Sequence, residues 1–501
     1  MRVLIFHGYL LRGTGSNIYN ASLCRALVRL GHEVHLFCQE RDTDGLDFVD
    51  GRHCTVYVPD IGGVLPVYVA DRYEGFRVVT FPELEDDELD RYLESNVAAV
   101  RDVAARVQPD VALANHLVMG PMVLARALEG RVPYAIKVHG SALEYTVRPN
   151  PGRFLPYARE GLDGAAGVLV GSRHTAESLW EVVGDPDLPE RTRLGPPGVD
   201  VHSFRPRPRE EAREALRRLA DRIEAGEAAA WGGERGAAAA LRSLDPARDR
   251  IVSYVGKLIV SKGVDLLLAA WPLVVERVPE ARLLVVGFGT YRDALERVVS
   301  ALAAGDLDDL AEVAARGREL EGGPRGELRY LREFLEGLEG QRRARYLEAA
   351  AVAASRVHFT GRLEHEDLPE VLPACDVQVM PSTFPEAFGM VAAEAAACGA
   401  FPLSAGHSGM AEVTAALAPA LEEELRPLLS FRVGPGAVEE IAAKLIGWLT
   451  LDAPLREGAA AALAERAAAR FGWESVAEGV IAAALGRLDD LPSPVASLPA
   501  P

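Results

Sequence analysis

The sequence predicts an α/β fold built as two successive parallel-sheet halves, and three observations carry that expectation. The chain opens on a strand, a glycine loop, a helix and a second strand. The same pattern starts again after a Gly- and Pro-rich stretch near residues 194–208. With 501 residues, 49% of them hydrophobic, the chain has material for two or three full cores.

In order, "RVLIFHG" is a short apolar run followed by the glycine-bearing "LLRGTGSN". "IYNASLCRALVRLG" then repeats apolar residues at helical spacing and stops at Gly31, ahead of a second apolar run, "EVHLFC". The short runs "DVALANH", "YAIKVHG" and "GVLVGS" follow, interleaved with helical segments. Beyond the linker "LGPPGVDVHSFRPRP", "RIVSYVGKLIVSKGVDLLLAAWPLVVERV" again reads strand, glycine loop, helix. "ARLLVVGFG", "VHFTG", "DVQVMPS" and "AFPLSA" supply further buried strands. Open parallel sheets bind ligands beyond the carboxyl ends of their strands, where these glycine loops fall, so a cleft between the halves is expected. Residues 209–247 and 302–350 are Ala/Arg/Glu-rich and read as inserted helices with solvated faces. The run from "VVGFG" to "VHFTG" is far longer than an ordinary loop, long enough to cover a cleft or make an interface. The ending "LPSPVASLPAP" reads as a frayed tail.

Composition narrows the partners. A formal charge of −19 with no basic stripe argues against nucleic acid and against an electrostatically bound anionic membrane. The five cysteines are scattered without a C-x-x-C, as expected of reduced core residues in a cytoplasmic enzyme. "MRVLIFHGYL" is too short an apolar run for a signal peptide, and no run of about 18 apolar residues suggests a membrane span. No H-E-x-x-H or Cys/His cluster suggests a metal, and "GSRHTAES" lacks the G-x-S-x-G elbow of a serine hydrolase.

The chemistry concentrates in "FPEAFGMVAAEAAACGA", where Glu386 and Glu394 stand in a nearly uncharged run with no local cation. Glu386 is expected just before a helix that begins at Phe388, Gly389 and Met390, whose N–H groups have no partner within it. Such a helix end suits phosphate. Measured along a helix, the two acids would lie about 12 Å apart on faces turned by about 80°. A sugar joined through a diphosphate to a ribonucleoside fits that layout, one acid taking hydroxyls on each side. A solvated surface helix is the plain alternative, but the residues around Glu394 are too small and apolar for it. In "VGKLIVSKG", Lys257 and Lys262 account for two of only four lysines in an arginine-using chain. Two cations facing a phosphate-binding helix end would neutralise a diphosphate leaving group. Weaker pointers are Gly15 in the first glycine loop, Gly256, Gly287 and Gly289 at strand ends, and His139 with Gly140 in "KVHGS". Ile18 stands where a dinucleotide fingerprint would have its last glycine.

Taken together, "RGTGSN", "PPGVDVHSFRP", "VGKLIVSKG" and "PSTFPEAFGMVAAEAAACGA" resemble the retaining GT-B glycosyltransferases of family four, glycosyl transferases group 1. The last stretch matches that family's glutamate–seven–glutamate signature. The resemblance implies two Rossmann-like domains facing across a cleft, with the helical insertions in the second. Residues 1–198 would form the acceptor side, 199–475 the nucleotide-sugar domain, and 476–501 a helix crossing back and a tail. It implies Glu394 on the ribose, Glu386 on the transferred sugar, and the N–H groups of Phe388 to Met390 on sugar or phosphate. Lys257 and Lys262 would meet the diphosphate, and His139 would sit near donor sugar and acceptor, so that His139, Lys262 and Glu386 are the implied catalytic groups and Gly15, Gly256 and Gly287 donor contacts. Hexose transfer from a nucleoside-diphosphate sugar to a small-molecule, glycan or lipid hydroxyl follows, with retention, without a metal and with no cofactor beyond the co-substrate. Lys257 departs from the family's usual Arg, and the first loop lacks its commoner Gly-Gly pair. A nucleotide-sugar epimerase on the same scaffold and a non-catalytic sugar-nucleotide-binding protein are the alternatives. Donor base, acceptor and oligomeric state stay open.

Overall fold

The computed structural model describes residues 1–12, 15–68, 76–226, 236–386 and 388–495. The chain divides into two compact units, Met1–Gly198 with Phe471–Pro501, and Val199–Arg470.

In the first unit the strands are β1 (Arg2–Phe6), β2 (Glu33–Phe37), β3 (Cys54–Tyr57), β4 (Val64–Val67), β5 (Arg77–Thr80), β6 (Val111–Asn115), β7 (Tyr134–Val138), β8 (Gly167–Val170) and β9 (Thr192–Leu194). Seven of them form one sheet in the order β3-β2-β1-β6-β7-β8-β9, with β4 and β5 paired apart. Every pairing in the large sheet is parallel, Val3 lying opposite Val34 on one side and Val111 on the other. Both faces are covered, which is why β1 is an unbroken apolar run. Leu4 and Phe6 enter one buried cluster, Val3 and Ile5 another.

The second unit repeats the plan with β10 (Arg250–Val255), β11 (Ala281–Val286), β12 (Val357–Gly361), β13 (Val377–Met380), β14 (Phe401–Ala405) and β15 (Ser430–Phe431). Their order is β12-β11-β10-β13-β14-β15, again parallel. In both sheets the strand order reverses beside the opening strand, between β1 and β6 and between β10 and β13, and such reversals place ligands beyond the carboxyl ends. The short strands β3, β4, β5, β9 and β15 are additions to the sequence reading, too brief for a periodicity signal.

The Ala/Arg/Glu-rich stretches are mostly helical where described. Arg209–Ala225 and Ala237–Arg242 come from the first, with residues 227–235 outside the described set. Arg222 ties the longer helix to Asp367 at 2.7 Å and to Glu370 at 2.5 Å. The excursion between β11 and β12 carries Arg292–Ala304, Leu307–Arg316, Arg329–Glu336 and Gly340–Ala354. The chain rejoins the first unit from Phe471, ahead of the expected residue 476, and Trp473, Ala477, Val480 and Ile481 pack into its core. Gly198 of "PPG" makes that docking possible, because a Cβ there would lie 2.5 Å from the Trp473 ring. All five cysteines are free and buried. Among the described residues no helix is long and apolar enough to cross a membrane.

Candidate functional site

The two glutamates that lack local cations find partners from distant parts of the second unit. The Lys262 ammonium meets Glu386 Oε1 at 2.5 Å, and Ser382 Oγ donates to the same oxygen at 2.7 Å. Glu394 is 2% exposed, and its Oε1 lies 2.7 Å from His365 Nε2. Burial works to lower the His365 pKa, but the hydrogen bond and charge of Glu394, with Glu366 and Asp200, outweigh it and hold the imidazole above its ordinary value. The ring also rests against Phe204, with centroids 5.2 Å apart.

The helix itself starts later than the sequence suggests. It spans Met390–Ala397, with Gly389 as its cap at φ −93° and ψ 61°, so Phe388 and Gly389 precede it. The reason is competition for the backbone. Glu386 N–H donates to Ser408 Oγ at 2.9 Å and Glu386 C=O accepts from Gly409 N–H at 2.9 Å. His407 Nε2 lies 3.0 Å from the Ser382 carbonyl. Those bonds hold residues 382–386 in a non-helical path, and the helical rise does not describe the Glu386–Glu394 separation. The first helical N–H groups are therefore those of Met390 and the residues after it, and they start beside the Glu386–Lys262 pair.

Lys262 ends a 3-10 turn, Val260–Lys262, that the surrounding loops hold from several sides. Thr383 N–H donates to Ser261 C=O at 2.9 Å, Leu258 N–H to Phe288 C=O at 2.8 Å, and Tyr291 N–H to Leu258 C=O at 3.0 Å. Gly263 closes the turn at φ +65°, and a Cβ there would lie 2.1 Å from the Pro381 carbonyl oxygen. Gly287 lets two strand-end loops pass each other, since a Cβ on it would lie 1.9 Å from Gly256 O. Lys257 is exposed, and its side chain has no hydrogen-bond or ion-pair partner among the described residues.

His139 and Gly15 belong to the first unit. Gly15 opens the helix Gly15–Arg29 with open space around its Cα, while residues 13 and 14 of "RGTGSN" lie outside the described set. His139 follows β7 and heads a chain of amides. Its Nε2 meets Asn115 Oδ1 at 2.8 Å, Asn115 Nδ2 donates to Asn20 Oδ1 at 2.8 Å, and Asn20 Nδ2 donates to His7 Nδ1 at 3.0 Å. His7 Nε2 then meets the Leu10 carbonyl and Asn17 Oδ1, each at 3.0 Å. Amide nitrogens only donate, so His7 accepts at Nδ1 and donates at Nε2, and the chain leaves His139 donating at Nε2. Burial lowers the His7 pKa to about 4, against the raising effect of Asn17 and Leu10. His139 is held well below its usual value by burial first, then by His116, Lys137 and His7. Both imidazoles are neutral at pH 7. Burial also takes Lys137 down to about 7, with its Nζ donating to Gly195 C=O.

The structure thus brings together Lys262, Glu386, Gly389, Met390 and Glu394 around one helix start, with Gly256, Lys257 and Gly287 in the loops that adjoin it. His365, Ser382, Ser408 and Gly263 are the site residues that sequence reasoning missed. His365 had a usable signal: it follows a strand of the central sheet by a few residues, as His139 follows β7. Gly263, directly after Lys262, had another. The two serines had none.

Residues 14–188 match the family described as Glycosyl transferase 4-like domain. Residues 249–318 and 336–463 match two families, each described as Glycosyl transferases group 1. The first unit thus matches a glycosyl transferase 4-like domain and the second the glycosyl transferases group 1. A D-inositol 3-phosphate glycosyltransferase of Segniliparus rotundus is 28% identical over 294 residues, 59% of this chain and 46% of that protein. Another, from Catenulispora acidiphila, is 26% identical over 480 residues, 92% of this chain and 88% of that one. The chain therefore spans about half the length of the first relative and most of the second. Sucrose-phosphate synthase from Thermosynechococcus elongatus superposes with a TM-score of 0.54 at 21% identity, covering 98% of each chain. Anabaena HepE, solved in complex with UDP, gives 0.53 at 18% identity over 97% of this chain and 100% of that one. These likenesses establish the fold as GT-B, two Rossmann-like domains.

Proposed function

We propose that this chain transfers a hexose from a nucleoside-diphosphate sugar to a hydroxyl acceptor with retention of anomeric configuration. One observation carries the reading: a helix N-terminus without a side-chain cap follows Glu386 of the Lys262–Glu386 pair in the second unit and carries the buried Glu394 one turn in. Amide dipoles and Lys262 suit a diphosphate, while the two carboxylates suit carbohydrate hydroxyls.

In this reading Glu394 accepts hydrogen bonds from the ribose, with His365 holding its carboxylate in place. Glu386 accepts from the transferred sugar, and Lys262 turns from it towards the leaving diphosphate, joined by Lys257. Departure needs that neutralisation, and the lysines supply it without a resident metal. The bond from the anomeric carbon to the diphosphate oxygen breaks, and the acceptor oxygen forms its bond on the same face. The acceptor proton passes to a donor phosphate oxygen. His139, neutral and fixed through Nε2, offers Nδ1 as an acceptor for a hydroxyl in the first unit. Nucleotide-sugar donors accord with the UDP-glucose bound to HepE, and hydroxyl acceptors with the relatives named for D-inositol 3-phosphate.

Thermal shift with UDP-, GDP- and ADP-sugars identifies the donor, since a bound ligand stabilises according to its occupancy. Proton NMR of the product from an α-configured donor then tests the stereochemistry. An α-linked product is expected, still formed in EDTA. A β-linked product overturns retention, and conversion of the donor sugar without an acceptor overturns transfer.

A further inference from the structure

The excursion between β11 and β12 returns a carboxylate to the lysine turn. Helix Leu307–Arg316 ends at Gly317, whose φ is +47° and whose Cβ, if present, would lie 1.9 Å from Gly326 O. A 3-10 turn, Arg318–Glu321, follows, and the chain then closes on itself. Arg318 N–H donates to Gly326 C=O at 3.1 Å, Gly323 N–H to Arg318 C=O at 3.0 Å, and Leu328 N–H to Ala314 C=O at 2.7 Å. Backbone bonds close this loop, and ion pairs such as Arg316–Glu319 at 2.9 Å add to them. From it the Glu321 carboxylate accepts the Val260 N–H at 2.7 Å and pairs with Arg318 at 3.3 Å. Its side chain is 12% exposed. Val260 opens the turn that ends in Lys262, and the first N–H of such a turn has no acceptor within it.

We propose that Glu321 is a positioning residue for the donor site: by accepting the Val260 N–H it fixes the turn that presents Lys262, and the helical excursion is its scaffold. The proposal rests on the donor-site reading above. It makes Glu321 act through geometry and against its own charge. A carboxylate bonded to the backbone between Lys257 and Lys262 repels a diphosphate held there, so an effect of charge alone would make nucleotide binding tighter once Glu321 is removed. Loss of the brace makes it weaker. Glutamine separates the two, because it keeps a carbonyl acceptor and drops the charge.

The test compares wild type, Glu321→Ala and Glu321→Gln. Affinities for UDP, GDP and ADP are read by calorimetry, donor KM and kcat by turnover, and backbone hydrogen exchange of residues 257–263 without ligand. Glu321→Ala is expected to speed exchange in that segment, weaken the preferred nucleotide about tenfold and raise donor KM more than it lowers kcat. Its melting temperature should stay within a few degrees of wild type, and Glu321→Gln should stay within about threefold of wild type in affinity. Unchanged exchange and affinity in Glu321→Ala overturns the proposal, as does tighter binding in both variants. Should the wild type bind none of the three nucleotides, the donor-site reading fails, and the exchange measurement still decides whether Glu321 holds the turn.

Discussion

The two units carry the same strand plan and opposite chemistry at their strand ends. In the first, buried His7, Asn20 and Asn115 and half-buried His139 form a neutral chain in which desolvation has taken the charge off the imidazoles. In the second, Lys262–Glu386 and His365–Glu394 set ionisable partners face to face around a helix start. Neutral hydrogen-bond chains orient a hydroxyl without attracting anions. Paired charges with an adjoining helix dipole suit a diphosphate and can exchange partners as it arrives. In the proposed reading, one strand plan used twice carries a surface for hydroxyl groups in one unit and for phosphate in the other.

The sharpest way to break this contrast is Lys262→Ala. At saturating donor, turnover should fall about a hundred- to a thousandfold, as for loss of a group that stabilises leaving-group charge. An equal loss in His139→Ala with unchanged Lys262→Ala turnover would move the chemistry to the other unit. Next, Gly263→Ala places a Cβ 2.1 Å from Pro381 O at a positive φ, and should cost about 2 kcal/mol of stability by denaturant unfolding. Third, Glu394→Ala should weaken nucleotide binding about tenfold in calorimetry, with a smaller change in kcat. Unchanged affinity would remove the ribose from Glu394.

The smallest expected effect is a pair of opposite pH dependences. His7 has a folded pKa of about 4, so below about 6.5 the unfolded chain takes up the proton first. Hydrogen-exchange protection of β1 and β6 should therefore fall as pH drops from about 6.5 towards 5, above the range where ordinary carboxylates protonate. The His365 pKa is raised instead, so the stabilisation from its pairing with Glu394 is complete below about 6.5 and is lost as pH rises through the folded value. The destabilisation caused by His365→Gln should accordingly shrink between pH 6 and about 8.5, read by denaturant unfolding at each pH. A flat difference would mean that the His365 charge plays no part in the pairing.

Much of the molecule was legible beforehand, and the misses are instructive. β1, β6 and β10 are short, largely apolar runs followed by loops that bear histidine or glycine, and such a run needs no tertiary knowledge to be seen. β15, two residues long, is a strand only because β14 lies beside it. The acid pair was visible as an oddity of composition, whereas its neutralisation was not. Lys262 stands 124 positions from Glu386, and His365 stands 29 from Glu394. The helix start was misplaced by two residues because Ser408 and Gly409 take up the Glu386 backbone groups.

The sequence by itself determined the strand and helix periods, the restart after the linker and the small, apolar setting of Glu394. Each is encoded within a few neighbouring residues and follows from side-chain spacing and backbone freedom. Only the tertiary structure decided which cation meets which acid, why Gly263 and Gly287 must lack a Cβ, and that Glu321 reaches the lysine turn. Those facts depend on pieces of chain far apart in sequence meeting at distances of a few ångströms, which no local pattern can specify.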